Sequence, residues 1–291
     1  MQIPQKADSS ALFYLIKNCM EPFFAKKSLG QNFLKNPHIA EKIVVAGNVA
    51  EGDVVLEIGP GKGALTRVLL EHGAIVTAVE ADMRALEVLQ DTFPDEIKSG
   101  ALTLIHADMR EFDIDTLSLT QQPYKVLANI PYYLTGQLFR MFLSHTHQPS
   151  TLVFLVQKEV AERIARSKKE SLLSLSVKVY GTPKLVQTVA RGNFSPVPNV
   201  DSAILAIYDI SREKFKGVSE EAFFACIHGG FQARRKQLFG ALSKIYGKPC
   251  VASAFGALKL DTKLRGEDIS VDTWLSLSSH INDCPHEHTV T

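Results

Sequence analysis

Short apolar runs alternate along the chain with stretches whose apolar residues recur every three or four positions. The runs VVLEIG (54–59), AIVTAVE (74–80), LTLIHAD (102–108), YKVLAN (124–129) and STLVFLVQ (150–157) predict strands. Between them, ALTRVLLEHG (64–73), DMRALEVLQDTF (82–93) and GQLFRMFLSH (136–145) predict helices, followed by KEVAERIARS (158–167) and SLLSLSVKVYG (171–181). KLVQTVA (184–190) and SAILAIYDI (202–210) read as closing strands. Alternation of this kind implies a mainly parallel sheet covered by helices on both faces. After residue 210 the strand pattern stops. SEEAFFACIHGGFQARRKQLFGALSKIYG (219–247) and the segments C-terminal to it read as helices. The expected division is an N-terminal extension (1–22), an α/β domain (23–210), a helical C-terminal domain (211–282) and a disordered tail (283–291).

The 291 residues leave room for one large domain and a smaller one, and 45% hydrophobic with 22% charged residues is an ordinary soluble composition. A net charge of +1 gives a weak overall field, so any nucleic-acid contact must use local basic clusters. Cys19, Cys226, Cys250 and Cys284 form no C-x-x-C pair. Neither a zinc site nor a disulfide framework is expected, and a cytoplasmic location fits. No apolar run approaches the ~20 residues that span a membrane, and no secretory signal is expected. His286-Glu287-His288 reads as tail, not as a metal site.

The chemistry concentrates at the ends of successive strands. Gly59, Gly61 and Gly63 lie between a strand and a helix, where glycine lets backbone approach a ligand. The spacing is not that of a phosphate-binding P-loop. Glu80 ends the next strand, where a carboxylate can accept both hydroxyls of a ribose. Asp108 ends the third strand and can accept an amine from an adenine edge. Asn129 ends the fourth. Three polar side chains on one sheet edge with the glycine loop imply a ligand containing ribose and adenine, either NAD or S-adenosylmethionine. No proton-shuttling companion for a dehydrogenase accompanies them, although that reading stays open.

The segment Asn129-Ile130-Pro131-Tyr132-Tyr133 then suits methyl transfer to an adenine amine. That nitrogen is a weak nucleophile because its lone pair is conjugated with the ring, so the enzyme must position it in line with the methyl. The Asn129 side-chain oxygen and the Ile130 carbonyl are the expected acceptors. Pro131 stiffens the turn, and Tyr132 is expected to stack on a flipped-out base. Phe194, between Asn193 and Pro196, is expected to close the base's other face. No metal is required.

The chain resembles the ribosomal RNA adenine N6,N6-dimethyltransferases, and among them the bacterial small-subunit branch. The resemblance is carried by KKSLGQNFL (26–34), VLEIGPGKGALT (55–66), VEAD (79–82), HADM (106–109) and NIPYY (129–133). LVQKEVAERI (155–164), FSPVPNVDSAI (194–204) and FQARRKQL (231–238) continue it in order. It implies a Rossmann-like S-adenosylmethionine-dependent methyltransferase sheet plus a small all-helical C-terminal domain. It also implies dimethylation of two adjacent adenosines in a hairpin near the 3′ end of small-subunit rRNA, within a pre-30S particle. By the same match, Asn32, Leu34, Gly59, Glu80, Asp108 and Asn129 contact the donor, and GQNFL forms a lid. SKKESLLSLSV (167–177) departs from the family's usual turn, which bears on target handling. A large-subunit rRNA enzyme and a non-catalytic assembly factor are the alternatives. Expected RNA contacts are Lys26 and Lys27, Arg163 and Arg166, and Arg234, Arg235 and Lys236. A monomer is expected.

Overall fold

A computed structural model of the protein describes residues 31–117, 122–232 and 236–284. Along the chain run β1 (Phe33–Leu34), α1 (Pro37–Ala46), β2 (Val54–Ile58), α2 (Ala64–Glu71), β3 (Ile75–Glu80), α3 (Met83–Thr92), α4 (Pro94–Ser99) and β4 (Leu102–His106). After these come β5 (Tyr124–Asn129), α5 (Thr135–Leu143), β6 (Thr151–Gln157), α6 (Lys158–Ala165), α7 (Leu172–Lys178), β7 (Thr182–Val189), β8 (Phe194–Ser195) and β9 (Ser202–Tyr208). The chain closes with α8 (Glu220–Phe231), α9 (Leu238–Tyr246), α10 (Lys248–Ala257) and α11 (Val271–Asn282).

The main sheet has seven strands in the order β4-β3-β2-β5-β6-β9-β7. Pairing is parallel from β4 through β6 and antiparallel where β9 meets β6 and β7. The strand order reverses between β2 and β5, and at such a switch point the carboxyl ends of the strands open a crevice.

The central strands β2, β3, β5, β6 and β9 are buried on both faces and read as nearly continuous apolar runs, whereas the edge strands β4 and β7 are partly open and carry polar residues. Side-chain alternation deals successive residues to opposite layers. Leu56, Val126, Phe154 and Leu205 join one core cluster, whereas Val55, Leu127, Val153 and Ile204 join the other. Helices α1 to α3 cover the second layer through Ile43, Leu69 and Leu89. The first layer continues through Leu138 and Leu175 into Phe223, Leu242 and Trp274 of the C-terminal helices. Those helices therefore share a core with the sheet.

Several boundaries differ from the sequence reading. The third strand ends at His106, so Asp108 stands two residues beyond it. The helical reading of 219–247 resolves into two helices: α8 stops at Phe231 and α9 starts at Leu238. The residues between Phe231 and Leu238 read QARRKQ, a polar interruption of the apolar pattern. Expectation also failed for the cysteines. Cys250 and Cys284, 34 residues apart in sequence, form a disulfide with Cα atoms 5.9 Å apart. The packing of α10 against α11 brings the two together. Cys226 is buried and free. Of the expected tail, Asp283 caps α11 and Cys284 is bonded, while residues 285–291 lie outside the described residues. So does the N-terminal extension. Among the described residues no helix is long and apolar enough to cross a membrane.

The glycine loop shows why its residues are small. Gly63 precedes α2 at φ +80°, and a Cβ there would lie 2.6 Å from the Phe93 ring and 2.9 Å from Leu89. Gly63→Ala combines a left-handed backbone with overpacking and should cost about 2–4 kcal/mol of stability. Urea denaturation measures it, and a loss below about 0.5 kcal/mol would contradict the packing described.

Candidate active site

A cavity of about 780 Å³, continuous with solvent, lies over the switch point of the sheet. Its floor is Ile58 at the end of β2, Gly59 and Gly61 from the loop after it, and Glu80 from the end of β3. Asp108 and Met109 bound it on the β4 side. Asn129, Ile130, Pro131 and Tyr132 bound it on the β5 side, and Gln31, Asn32 and Phe33 lie across it. The four successive strand ends thus converge on one space, as the positions of their polar residues implied.

Glu80 is nearly buried, at 6% exposure. One carboxylate oxygen accepts the Gly61 N–H at 3.0 Å and the other accepts the Asp82 N–H at 2.9 Å. Burial pushes this carboxyl up, and the two backbone donors oppose the shift. Glu80 therefore fixes the loop's shape as well as facing the cavity. Asp82 caps α3 and bonds the Arg84 guanidinium and the Gln31 amide. The Arg84 contact dominates and pulls its carboxyl down to about 2.

Beneath the loop, Glu57 is 1% exposed and accepts the Thr66 hydroxyl at 2.7 Å. Burial pushes its carboxyl up to about 8, and the nearby Glu80 carboxylate adds to the shift. Between the ordinary carboxyl value and about 8 the folded protein holds a proton that the unfolded chain has lost. Stability therefore falls as pH rises through that window, by up to about 1.4 kcal/mol per pH unit. Glu57→Gln keeps an acceptor for Thr66 and removes the titration. The variant should equal the native protein near pH 4.5 and exceed it increasingly towards pH 8. Thermal melts across that range measure it, and a constant difference would contradict a buried neutral Glu57.

Asp108 accepts the Arg110 N–H and is clamped by the Arg110 guanidinium, which holds its carboxyl below the usual range. This pairing was not foreseen. The arginine is half-exposed at the rim, so this ion pair is solvent-screened and worth little.

At the end of β5 the Asn129 amide nitrogen donates to the Asn32 carbonyl at 3.0 Å. Because that carbonyl can only accept, the nitrogen must face it and the amide oxygen turns away. No described residue donates to that oxygen. Pro131, at φ −57° and ψ 130°, turns the chain into a short 3-10 segment, Tyr132–Leu134. The Tyr132 hydroxyl meets the Ser202 hydroxyl at 2.7 Å, which holds the ring as part of the wall. Tyr133 also borders the cavity and is 56% exposed. The sequence marked it as aromatic but gave no orientation.

Two expected site residues are not in the cavity. Phe194 is 1% exposed and sits in the core. It pairs with Leu34 across the β1–β8 ribbon, which turns the ring inward. It anchors the proline-rich loop and does not face a base. The Leu34 side chain is buried in the same cluster, and its neighbour Phe33 borders the cavity instead. Phe33 packs over the glycine loop: a Cβ on Gly61, itself at φ +57°, would come 2.8 Å from its ring. Lys62 Nζ sits 5.3 Å above the same ring. This contact places Gln31, Asn32 and Phe33 over the site.

The basic residues form a second feature. Arg163, Lys169 and Lys236 border one cleft between the α6–α7 region and the C-terminal helices, with Phe231 and Glu267 opposite. Arg163 pairs with Glu159, and Lys169 with Glu267. Arg166 is exposed at the end of α6. Lys26, Lys27, Arg234 and Arg235 lie outside the described residues.

Residues 23–283 match the family model described as ribosomal RNA adenine dimethylase. The chain is 38% identical over 276 residues to the ribosomal RNA small subunit methyltransferase A of Dehalococcoides mccartyi strain CBDB1, covering 93% of this chain and 94% of that one. It is 34% identical to the protein of the same name from Clostridium botulinum strain Langeland, covering 90% and 95%. Among solved structures it resembles a dimethyladenosine transferase from Plasmodium falciparum, with TM-score 0.69, 24% identity, and 84% and 95% of the chains covered. The 23S rRNA methyltransferase ErmE gives TM-score 0.69 at 22% identity, covering 86% and 100%. These two likenesses establish the fold.

Proposed function

The chain belongs to the ribosomal RNA adenine dimethylase family, and from that premise we propose that it dimethylates N6 of two adjacent adenosines in a hairpin near the 3′ end of small-subunit rRNA. The observation that carries the reading is the convergence of Gly61, Glu80, Asp108 and Asn129 on one cavity walled by Pro131 and Tyr132. The residues present fit S-adenosylmethionine. Glu80 offers a buried carboxylate that would accept the ribose hydroxyls, Asp108 an acceptor for the adenine amine, and the positive-φ glycines a side-chain-free approach. When bound, the sulfonium supplies an electrophilic methyl group.

The chain's own residues do the positioning. The Asn129 oxygen and the Ile130 carbonyl accept the two hydrogens of the target amine in the first transfer, and one of them accepts the single remaining hydrogen in the second, holding the nitrogen in line with the methyl. Accepting both hydrogens favours a pyramidal nitrogen, whose lone pair is freed from the ring. Tyr132, held through Ser202, offers a stacking face, worth about 1–3 kcal/mol per base. Asn129 is uncharged and orients without removing a proton. The N6 proton leaves to solvent after the new C–N bond forms.

The cleft bordered by Arg163, Lys169 and Lys236 suits phosphate contacts. Its exposed ion pairs are worth little, so phosphate can displace the carboxylates. We assign residues 23–210 to donor and base binding, and residues 211–282 to the far wall of this cleft. A monomer acting on a pre-30S particle in the cytoplasm completes the proposal.

Incubation with undermethylated 30S particles and labelled S-adenosylmethionine should place two adjacent N6,N6-dimethyladenosines in 16S rRNA, read by mass mapping. Label in 23S rRNA, or particle binding with no transfer, would overturn it.

A further inference from the structure

We propose that Asp115, His145 and His147 form a binding site for one borderline divalent transition cation of the zinc type, away from the methyl-transfer cavity. The three side chains each offer a ligand atom, and these atoms lie within 4.8 Å of one another. His145 Nε2 is 3.4 Å from Asp115 Oδ1, and His147 Nδ1 is 4.0 Å from the same oxygen. Ligands bonded at ~2.0–2.1 Å around a tetrahedral ion stand ~3.4 Å apart, so a small inward movement of His147 completes the set. Two imidazoles and one carboxylate favour a zinc-like ion over magnesium or calcium, which prefer oxygen alone. The fourth position is left for water.

The surroundings prepare this set. His145 Nδ1 lies 3.1 Å from the His147 backbone nitrogen and 3.2 Å from the His147 carbonyl oxygen. With Nε2 bearing its proton, Nδ1 accepts from that N–H. With Nε2 on a metal, the Nδ1 proton is donated to that carbonyl. The ring thus has a backbone partner in either tautomer, and the second arrangement is the one that orients metal-bound histidines elsewhere. The loop is fixed from three sides. Tyr124 Oη donates to the His147 carbonyl at 2.9 Å. Arg212 binds the carbonyls of Ser144 and His145, and the Gln148 amide binds that of Leu143. Glu220 balances the Arg212 charge. Asp115 is held in a 3-10 turn capped by Asp113. The His145 side chain is only 15% exposed, whereas Asp115 and His147 open to solvent at 61% and 55%, giving an ion an entry path.

A cation here would tie the turn at Ile114–Thr116 to the loop between α5 and β6. That turn follows closely on Asp108 and Met109, which border the donor cavity. The ion is a clip on the scaffold and takes no part in transfer.

The test uses full-length protein stripped of metal and titrated with zinc by calorimetry, and with cobalt by visible absorption. One equivalent should bind, with a cobalt spectrum lacking thiolate charge transfer. His145→Gln and His147→Gln should each weaken affinity by more than ~10-fold, while the double variant His286→Asn/His288→Asn, which removes the tail's histidines, should bind as the native protein does. Magnesium should not compete. His147 is exposed enough that its variant should keep the native melt without metal. Uptake unaffected by both single variants, uptake lost only in the tail variant, or no uptake at all would each overturn the site. None of these readouts involves methyl transfer, so failure here leaves the proposed function standing, and the reverse.

Discussion

Asn129→Ala is expected to lower the rate of methyl transfer about 10²–10³-fold, the loss seen when one preorganised polar contact to a reacting centre is removed. Two effects act together. The amide oxygen proposed to accept the target amine is gone, and the hydrogen bond to the Asn32 carbonyl, 3.0 Å in the native protein, is gone with it. Asn129→Asp separates them. Aspartate restores an acceptor for the amine but places a carboxylate against the Asn32 carbonyl, so the segment over the cavity is pushed away. The alanine variant should therefore lose kcat mainly, whereas the aspartate variant should also bind donor more weakly. Single-turnover transfer to undermethylated 30S particles, with donor affinity measured by calorimetry, reads both. A kcat within about threefold of the native value in the alanine variant would remove Asn129 from the chemistry.

Glu80→Ala should raise the Kd for S-adenosylmethionine about 100-fold and also lower stability. Two hydrogen bonds from ribose hydroxyls to a carboxylate at ~1.5 kcal/mol each correspond to about that factor. Stability falls because the N–H groups of Gly61 and Asp82, 3.0 and 2.9 Å from the carboxylate, lose their acceptor. An orphaned buried donor costs about 1–3 kcal/mol, so the pair should cost about 2–4 kcal/mol once water reaches one of them. Glu80→Gln retains one acceptor and should fall between native and alanine in both measurements. Calorimetry and urea denaturation distinguish this dual role. An unchanged donor Kd in a folded alanine variant would leave Glu80 as scaffold alone.

These residues were legible for a physical reason. Strand ends, glycine turns and alternating apolar layers are local, and a doubly wound sheet converts local position into spatial position. In a parallel sheet the polar residues that close the strands all stand along one edge, whatever the strand order. Glu80 and Asn129 followed from that rule, and Asp108 followed although its strand stops at His106. The rule says nothing about pairings made across long separations. Phe194 sits in an ordinary proline-rich loop by sequence, and only its pairing with Leu34 in the β1–β8 ribbon turns the ring into the core. The Cys250–Cys284 disulfide depends in the same way on helices packing, as does the meeting of Asp115 with His145 and His147.

The chain's own order of residues determined the layered sheet, the glycine loop and the polar residues at its rim, because each is set by neighbours a few positions away. Tertiary packing alone decided which aromatic rings face the cavity and which cations share the cleft. Those outcomes depend on side-chain directions and on contacts between segments far apart in sequence, such as Phe33 with Ser195, which no local pattern encodes.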